Sequence, residues 1–194
     1  MVADISRRKI LHSGLVLAGS ALLTPLVGNA ALASFAPPRL ATNKLESERI
    51  LSFNNTHTGE KCRVAYWEKG KYIHGAMREI DRVLRDHRTG EARAMDPALF
   101  DLLHKLQLRL ESKAPFQVIS GYRSPKSNAK MHENSSGVAK KSLHMQGKAI
   151  DIRLADKSIN NIRNAALSLK KGGVGFYPES QFVHIDTGKV RHWG

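Results

Sequence analysis

Cysteine is almost absent from this sequence, and acidic residues are scarce. The 194 residues include one cysteine, Cys62, so the chain cannot form an intramolecular disulfide. Cys62 alternates with Val64 and Tyr66 in a β-like run, which is typical of a small apolar residue on a buried strand face. Only 17 Asp and Glu stand against 31 Lys and Arg, which gives a net charge of +14.

The sequence also lacks an apolar run long enough to span a membrane. Its longest, residues 14–27, contains Pro25 and falls short of the roughly twenty residues that a spanning helix needs. A twin-arginine pattern, Ser6-Arg-Arg-Lys-Ile-Leu11, precedes this run, and the small residues Ala31-Leu-Ala33 follow it. We therefore predict a twin-arginine signal peptide over residues 1–33, cleaved near Ala33, and export to the periplasm; the alternative is an uncleaved anchor.

Export changes the interpretation of the positive charge. Cleavage would remove three basic residues and Asp4, so that the net charge falls from +14 to +12. In a cytoplasmic protein such a charge would indicate a nucleic-acid partner. An exported protein instead meets lipid headgroups, lipopolysaccharide and a cell wall that carries carboxylates. We predict non-specific contact with anionic envelope surfaces and no nucleic-acid partner.

The rest of the chain predicts an extended leader over residues 34–47 and one α+β domain over residues 48–194. Two β-like runs, residues 49–53 and 61–67, flank a loop and indicate a hairpin. Further strands are predicted at residues 116–120, 149–153, 174–177 and 182–186. Apolar residues at steps of three and four predict helices over residues 75–88, after Asp96-Pro97, and over residues 156–170. We expect a small antiparallel sheet with flanking helices.

Two histidines and an aspartate form the most informative pattern. His144 is followed seven residues later by Asp151, and His184 comes 33 residues after that. Asp151 lies between two isoleucines in a predicted strand, so its carboxylate needs either a metal or a basic side chain. His184 shares a predicted strand face with Asp186. If His184 is a ligand, Asp186 could orient it or act as a general base; alternatively, the two could form a plain hydrogen-bonded pair. Two imidazoles and one carboxylate leave the fourth position of tetrahedral Zn²⁺ open, as hydrolysis requires.

The motifs around these residues carry a family resemblance. Gly121-Tyr-Arg-Ser-Pro125, Ser142-Leu-His-x6-Asp151 and Phe182-Val-His-Ile-Asp-Thr-Gly188 together resemble the zinc D-Ala-D-Ala peptidase superfamily, which includes lysostaphin-type endopeptidases and the hedgehog signalling domain. Within it the chain is similar to the murein endopeptidase K group. That group shares the Gly-Gly-Val-Gly run at residues 172–175 and the Arg-His-Trp run at residues 191–193.

The resemblance implies a hedgehog/D-Ala-D-Ala peptidase-like zinc fold and assigns roles to residues of this chain. The ligands of one Zn²⁺ per chain would be His144, Asp151 and His184. Arg123 would polarise the scissile carbonyl or bind a substrate carboxylate, because its planar fork suits either task. Tyr122 and Ser142 would belong to the substrate-binding turns.

The general base is the point at which the chain departs from the family pattern. Many relatives place Glu or Asp three residues before the last histidine ligand, where this chain has Gln181. An amide cannot take a proton from the attacking water. The substitutes are Asp186, which shares a strand face with His184, then His192 and then Glu179.

The implied function is hydrolysis of peptide cross-links between peptidoglycan stem peptides during growth or remodelling of the cell wall. Two alternatives use the same site differently. One is a D,D- or L,D-carboxypeptidase that acts on uncrosslinked stem peptides. The other is a non-catalytic, zinc-containing module that binds the envelope, an alternative that Gln181 keeps open.

Overall fold

The computed structural model describes residues 47–134 and 138–194. The predicted signal peptide and all but the last residue of the predicted leader therefore lie outside the described residues. The strands are β1 (Glu48–Asn55), β2 (Lys61–Glu68), β3 (Lys71–Tyr72), β4 (Phe116–Ser120), β5 (Ala149–Arg153), β6 (Gly173–Tyr177), β7 (Phe182–Asp186) and β8 (Arg191–Trp193). The α-helices are α1 (His74–Val83), α2 (Pro97–Leu110), α3 (Pro125–Asn134) and α4 (Ile159–Ser168), and a 3₁₀ helix covers Leu143–Gln146. Within these ranges, no helix combines the length and apolarity needed to cross a membrane.

All the strands join one mixed sheet in the order β3-β2-β1-β4-β5-β7-β6-β8. The predicted hairpin is confirmed, because β1 and β2 pair antiparallel. The expectation of a small antiparallel sheet is wrong in size and in direction, since β1 pairs parallel with β4 and β6 pairs parallel with β8. Parallel neighbours need long crossover connections, and strand patterns in a sequence do not show which distant strands those connections bring together.

The helix ends follow local capping chemistry. Helix α2 begins as predicted, with Pro97 in its first turn and the Asp96 carboxylate accepting a hydrogen bond from the Ala98 N–H at 3.0 Å. Helix α4 is shorter than predicted, because the Ser158 hydroxyl caps it by accepting from the Asn161 N–H. Helix α3 was missed, since its polar sequence has no apolar stripe.

Alternation along the central strands separates the core from the face that carries the polar residues. Ile150 and Ile152 of β5 and Val183 and Ile185 of β7 belong to the same buried apolar cluster as residues of α1, α2 and α4. The intervening residues point to the opposite face of the sheet. Asp151 pairs directly with His184 across β5 and β7, so the register alone places the two side chains together.

Candidate metal centre

The three predicted ligands converge at the floor of a cleft. Asp151 and His184 come from adjacent strands, and His144 comes from the 3₁₀ helix that precedes β5. All three are buried, with exposures of 3% for His144, 6% for Asp151 and 8% for His184. The turn that presents His144 is closed by Gly147 at φ +69°, where a Cβ atom would lie 2.5 Å from the Ala94 carbonyl oxygen.

The distances between the three donor atoms fit a tetrahedral metal. His144 Nε2 lies 3.1 Å from His184 Nδ1 and 3.3 Å from Asp151 Oδ1. Two ligands of a tetrahedral zinc ion stand about 3.3 Å apart when each metal–ligand bond is about 2.0–2.1 Å. The remaining separation, from Asp151 Oδ1 to His184 Nδ1, is 2.8 Å and would need to widen by about 0.5 Å.

Hydrogen bonds on the outer edges of both imidazoles leave the inner nitrogens free to bind a cation. His144 Nδ1 lies 2.7 Å from the Gly121 carbonyl oxygen, which can only accept, so Nδ1 carries the proton. His184 Nε2 likewise donates to Asp186 Oδ2 at 3.0 Å. In the neutral imidazoles His144 Nε2 and His184 Nδ1 then direct lone pairs towards each other and towards the Asp151 carboxylate. A cation can replace a proton among these three atoms, and the donor set suits zinc.

The groups around this cluster stabilise the charged forms of His184 and Asp151. Burial lowers the pKa of His184, but the carboxylates of Asp151 and Asp186 outweigh burial and raise it to about 9. Burial raises the pKa of Asp151, and the two neighbouring histidines outweigh that effect and hold it below its ordinary value. A divalent cation would thus compete with a proton for the same lone pair on His184.

Asp186 has all its acceptor positions occupied. Its Oδ1 accepts from the backbone N–H groups of Gly173 at 2.9 Å and Gly188 at 2.8 Å, and from Arg191 Nη1 at 3.1 Å. Its Oδ2 accepts from Arg191 Nη2 at 2.6 Å and from His184. The side chain is fully buried, and despite burial these donors hold its pKa below the ordinary value. This geometry favours orientation of His184 over proton abstraction from water.

Arg123 lies beside the cluster with unused hydrogen-bonding capacity. Its Nη2 is 3.8 Å from Asp151 Oδ2, and it makes only long contacts of 3.4 Å with Asn128 Oδ1 and Ser120 Oγ. Its buried Nε has no hydrogen-bond partner among the described atoms. Because an unpaired buried donor is costly, this guanidinium is ready to bind an oxygen that enters the cleft.

Comparison with known proteins places the chain in a family. The family model described as "Peptidoglycan L,D-endopeptidase MepK" (Peptidase_M15_2) matches residues 43–193. The chain belongs to this family. It is 44% identical over 191 residues to a protein of that name from Escherichia coli K12, with 98% of each chain covered. It is 39% identical to a "Probable peptidoglycan L,D-endopeptidase MepK" from Haemophilus influenzae, with 98% of this chain and 96% of the relative covered.

The two residues predicted to bind substrate, Ser142 and Tyr122, lie in different surroundings. The Ser142 side chain lines the cleft and accepts from the His144 N–H at 3.3 Å, so it shapes the turn that carries this histidine. The Tyr122 ring is buried in the apolar core, and its backbone N–H donates to the Leu84 carbonyl oxygen. Only its backbone thus supports the arginine-bearing turn, and the phenol is absent from the cleft lining.

His192 and Glu179, two of the substitutes predicted for the general base, are absent from the cleft lining. His192 is exposed in β8 between Arg191 and Trp193, which both line the cleft, so strand alternation directs its side chain away from it. Gln181 and Glu179 are exposed in the turn between β6 and β7. Among the described residues that line the cleft, Asp151 is the only carboxylate.

The cleft has a volume of about 810 Å³, and its walls contain residues that sequence reasoning missed. One wall is aromatic: Tyr177 and Phe182 stack at 4.5 Å between ring centroids, and Trp193 Nε1 donates to the Tyr177 hydroxyl at 2.9 Å. Arg88 and Lys141 also line the cleft, as does Arg191. The signal for Trp193 was the Arg-His-Trp run, in which the flanking residues rather than the histidine face the site.

Proposed function

We propose that this chain is a zinc-dependent murein endopeptidase that hydrolyses peptide cross-links between peptidoglycan stem peptides, with L,D cross-links as its substrate. The observation that carries the proposal is the convergence of three acceptor atoms, on His144, Asp151 and His184, at the floor of a cleft beside Arg123. Membership of the family whose relatives are named peptidoglycan L,D-endopeptidases supplies the substrate class and the bond.

In this chemistry the three ligands would hold the zinc ion, and Arg123 would bind an oxygen of the substrate. Zinc held by these ligands would polarise a peptide carbonyl and bring the pKa of a bound water to about 7. Asp186 and the Gly121 carbonyl oxygen hold the two imidazoles in the tautomers that present their lone pairs inwards. Arg123 donates to the oxyanion that develops on the scissile carbonyl, or fixes a neighbouring carboxylate of the substrate.

The charge of the cleft fits an anionic peptide. Arg88, Arg123, Lys141 and Arg191 line it, and Asp151 is the one carboxylate among its described lining residues. Stem peptides carry free carboxylates close to their cross-links, so this charge raises their local concentration and orients them. We also propose that the twin-arginine pattern directs the chain to the periplasm, where this substrate is found, and that the remaining positive charge favours anionic envelope surfaces.

Digestion of purified sacculi tests the function. The protein should convert cross-linked muropeptide dimers into monomers, and a zinc chelator should stop this conversion until zinc is restored. Separation of the products by mass identifies the bond that is cut. Shortened uncrosslinked stems with intact dimers would instead indicate a carboxypeptidase. A protein that binds zinc and sacculi but releases no fragment would indicate a binding module.

Arg123→Lys tests the role of the guanidinium. Lysine keeps the positive charge but loses the planar fork, so we expect kcat for cross-link hydrolysis to fall by about 10²–10³, as for the loss of one oxyanion donor. Arg109→Lys, on the exposed side of α2, is the matched control and should leave kcat unchanged. A rise in KM alone would show that Arg123 only binds substrate, and unchanged kinetics would remove it from the mechanism.

A further inference from the structure

The last strand, β8, sends two side chains across β6 to the metal-binding face of the sheet. Arg191 and Trp193 lie on the side of β8 that faces the cleft, although β8 is separated from β7 by β6. We infer that Arg191 and Trp193 are positioning residues that hold His184 in the orientation needed to bind the metal. The inference rests on the metal site proposed above.

Four side chains, those of His184, Asp186, Arg191 and Trp193, form a closed ring of contacts. The Arg191 guanidinium donates hydrogen bonds to both oxygens of Asp186, with Nη1–Oδ1 and Nη2–Oδ2 distances of 3.1 and 2.6 Å. Asp186 Oδ2 accepts from His184 Nε2 at 3.0 Å. The Trp193 ring lies 5.2 Å from the His184 ring, and the Arg191 guanidinium lies 5.0 Å from the Trp193 ring. Each member therefore contacts the next, and His184 is held through its edge and against one side of its ring.

Two glycines of β6 make this ring possible. A Cβ atom on Gly173 would lie 2.4 Å from Asp186 Oδ2 and 2.5 Å from Arg191 Nη1. A Cβ atom on Gly175 would lie 2.6 Å from two carbon atoms of the Trp193 indole. The parallel register pairs Gly173 with Arg191 and Gly175 with Trp193, so each glycine leaves the space that its partner's side chain occupies.

Arg191, Asp186 and Trp193 orient the His184 imidazole and do not themselves coordinate the metal. The bidentate guanidinium fixes the plane of the Asp186 carboxylate, and that carboxylate fixes both the tautomer and the rotation of the His184 imidazole. The indole of Trp193, itself anchored by the hydrogen bond to the Tyr177 hydroxyl, blocks rotation of the imidazole towards β8. Without these contacts His184 would lose orientation before it lost its place in the strand.

Zinc affinity is the readout that separates positioning from simple stability. We expect Arg191→Ala to raise the zinc dissociation constant, measured by competition with a chromophoric chelator, by about 10–100-fold. Arg191→Lys should recover part of the loss, since lysine restores the charge but cannot span both oxygens. Trp193→Phe, which keeps a ring but loses the bond to Tyr177, should raise the constant by a smaller factor.

Gly175→Ala perturbs the ring at the Trp193 indole and leaves Arg191, Asp186 and His184 unchanged in the sequence. Its methyl group would displace the Trp193 indole, so we expect weaker zinc binding in a protein that still folds. Gly75→Ala is the matched control, because a Cβ atom there meets nothing within 4 Å, and its zinc affinity should equal that of the unmodified protein. If Arg191→Ala does not fold, Gly175→Ala and Trp193→Phe decide the question.

The possible results point in different directions. Unchanged zinc affinity in folded Arg191→Ala, or in both Gly175→Ala and Trp193→Phe, would overturn the positioning role while leaving the metal site intact. Absence of zinc binding by the unmodified protein would overturn the metal site and, with it, this inference. A graded loss, with partial recovery by Arg191→Lys, would support the role.

Discussion

Asp151→Asn is expected to abolish cross-link hydrolysis and to weaken zinc binding by more than about a hundredfold. The loss should exceed the 10–100-fold typical of residues that only orient a ligand, because Asp151 would bind the metal directly. The substitution keeps the size of the side chain but removes its negative charge from the space between His144 and His184. Release of muropeptide monomers from sacculi and chelator competition measure the two effects.

Asp156→Asn provides a matched control for this substitution. Asp156 lies five residues further along, is exposed, and accepts a hydrogen bond from the Ser112 hydroxyl, which an asparagine oxygen can also do. The activity and zinc affinity of the Asp156→Asn variant should match those of the unmodified protein. Near-normal hydrolysis by Asp151→Asn would show that the carboxylate is not a ligand and would leave its hydrogen bond to His184 as its only role.

Zinc is expected to raise the unfolding temperature by about 8–16 °C when its free concentration is a thousand times its dissociation constant. A ligand that binds only the folded state then adds about 4.1 kcal/mol to the free energy of unfolding. For a domain of about 150 residues, each kcal/mol corresponds to roughly 2–4 °C. The structural reason is the cluster of three buried ligand atoms, on His144, Asp151 and His184, which come together only in the folded chain. Thermal unfolding followed by circular dichroism, with and without zinc, measures the shift.

His144→Ala distinguishes the cluster from other zinc-binding groups on the protein. It removes one of the three acceptor atoms and should abolish most of the zinc-dependent shift. His104→Ala, a change on α2 outside the cleft lining, should retain the shift after allowance for its own effect on stability. A shift of the same size in His144→Ala would place the stabilising zinc elsewhere.

The candidate ligands could be predicted from the sequence because local rules determine them. Strand alternation put Asp151 and His184 on the polar face of their strands, and the same alternation put the neighbouring isoleucines and valines into the core. The family resemblance, rather than a local rule, assigned Arg123 to the same site. The structure brings Arg123, His144, Asp151 and His184 to one cleft.

The order of the strands could not be predicted in this way, because it depends on contacts between distant segments. The parallel pairs β1–β4 and β6–β8 connect residues whose separation along the chain carries no local signal. Strand β8 has only three residues, too few for its alternation to distinguish a strand from a loop. The sequence therefore did not show that the neighbours of His192, a candidate base, are the residues that face the site.

Local sequence therefore determined which side chains reach the polar face of the sheet, whereas the tertiary structure decided what each can do there. Asp186 illustrates the difference. Its strand position was predicted, and both an orienting and a basic role fitted that position. Arg191 of β8, the Gly173 N–H at the start of β6 and the Gly188 N–H after β7 occupy its oxygens only in the folded chain. A carboxylate without a free lone pair can orient His184 but has none left to accept a proton from water.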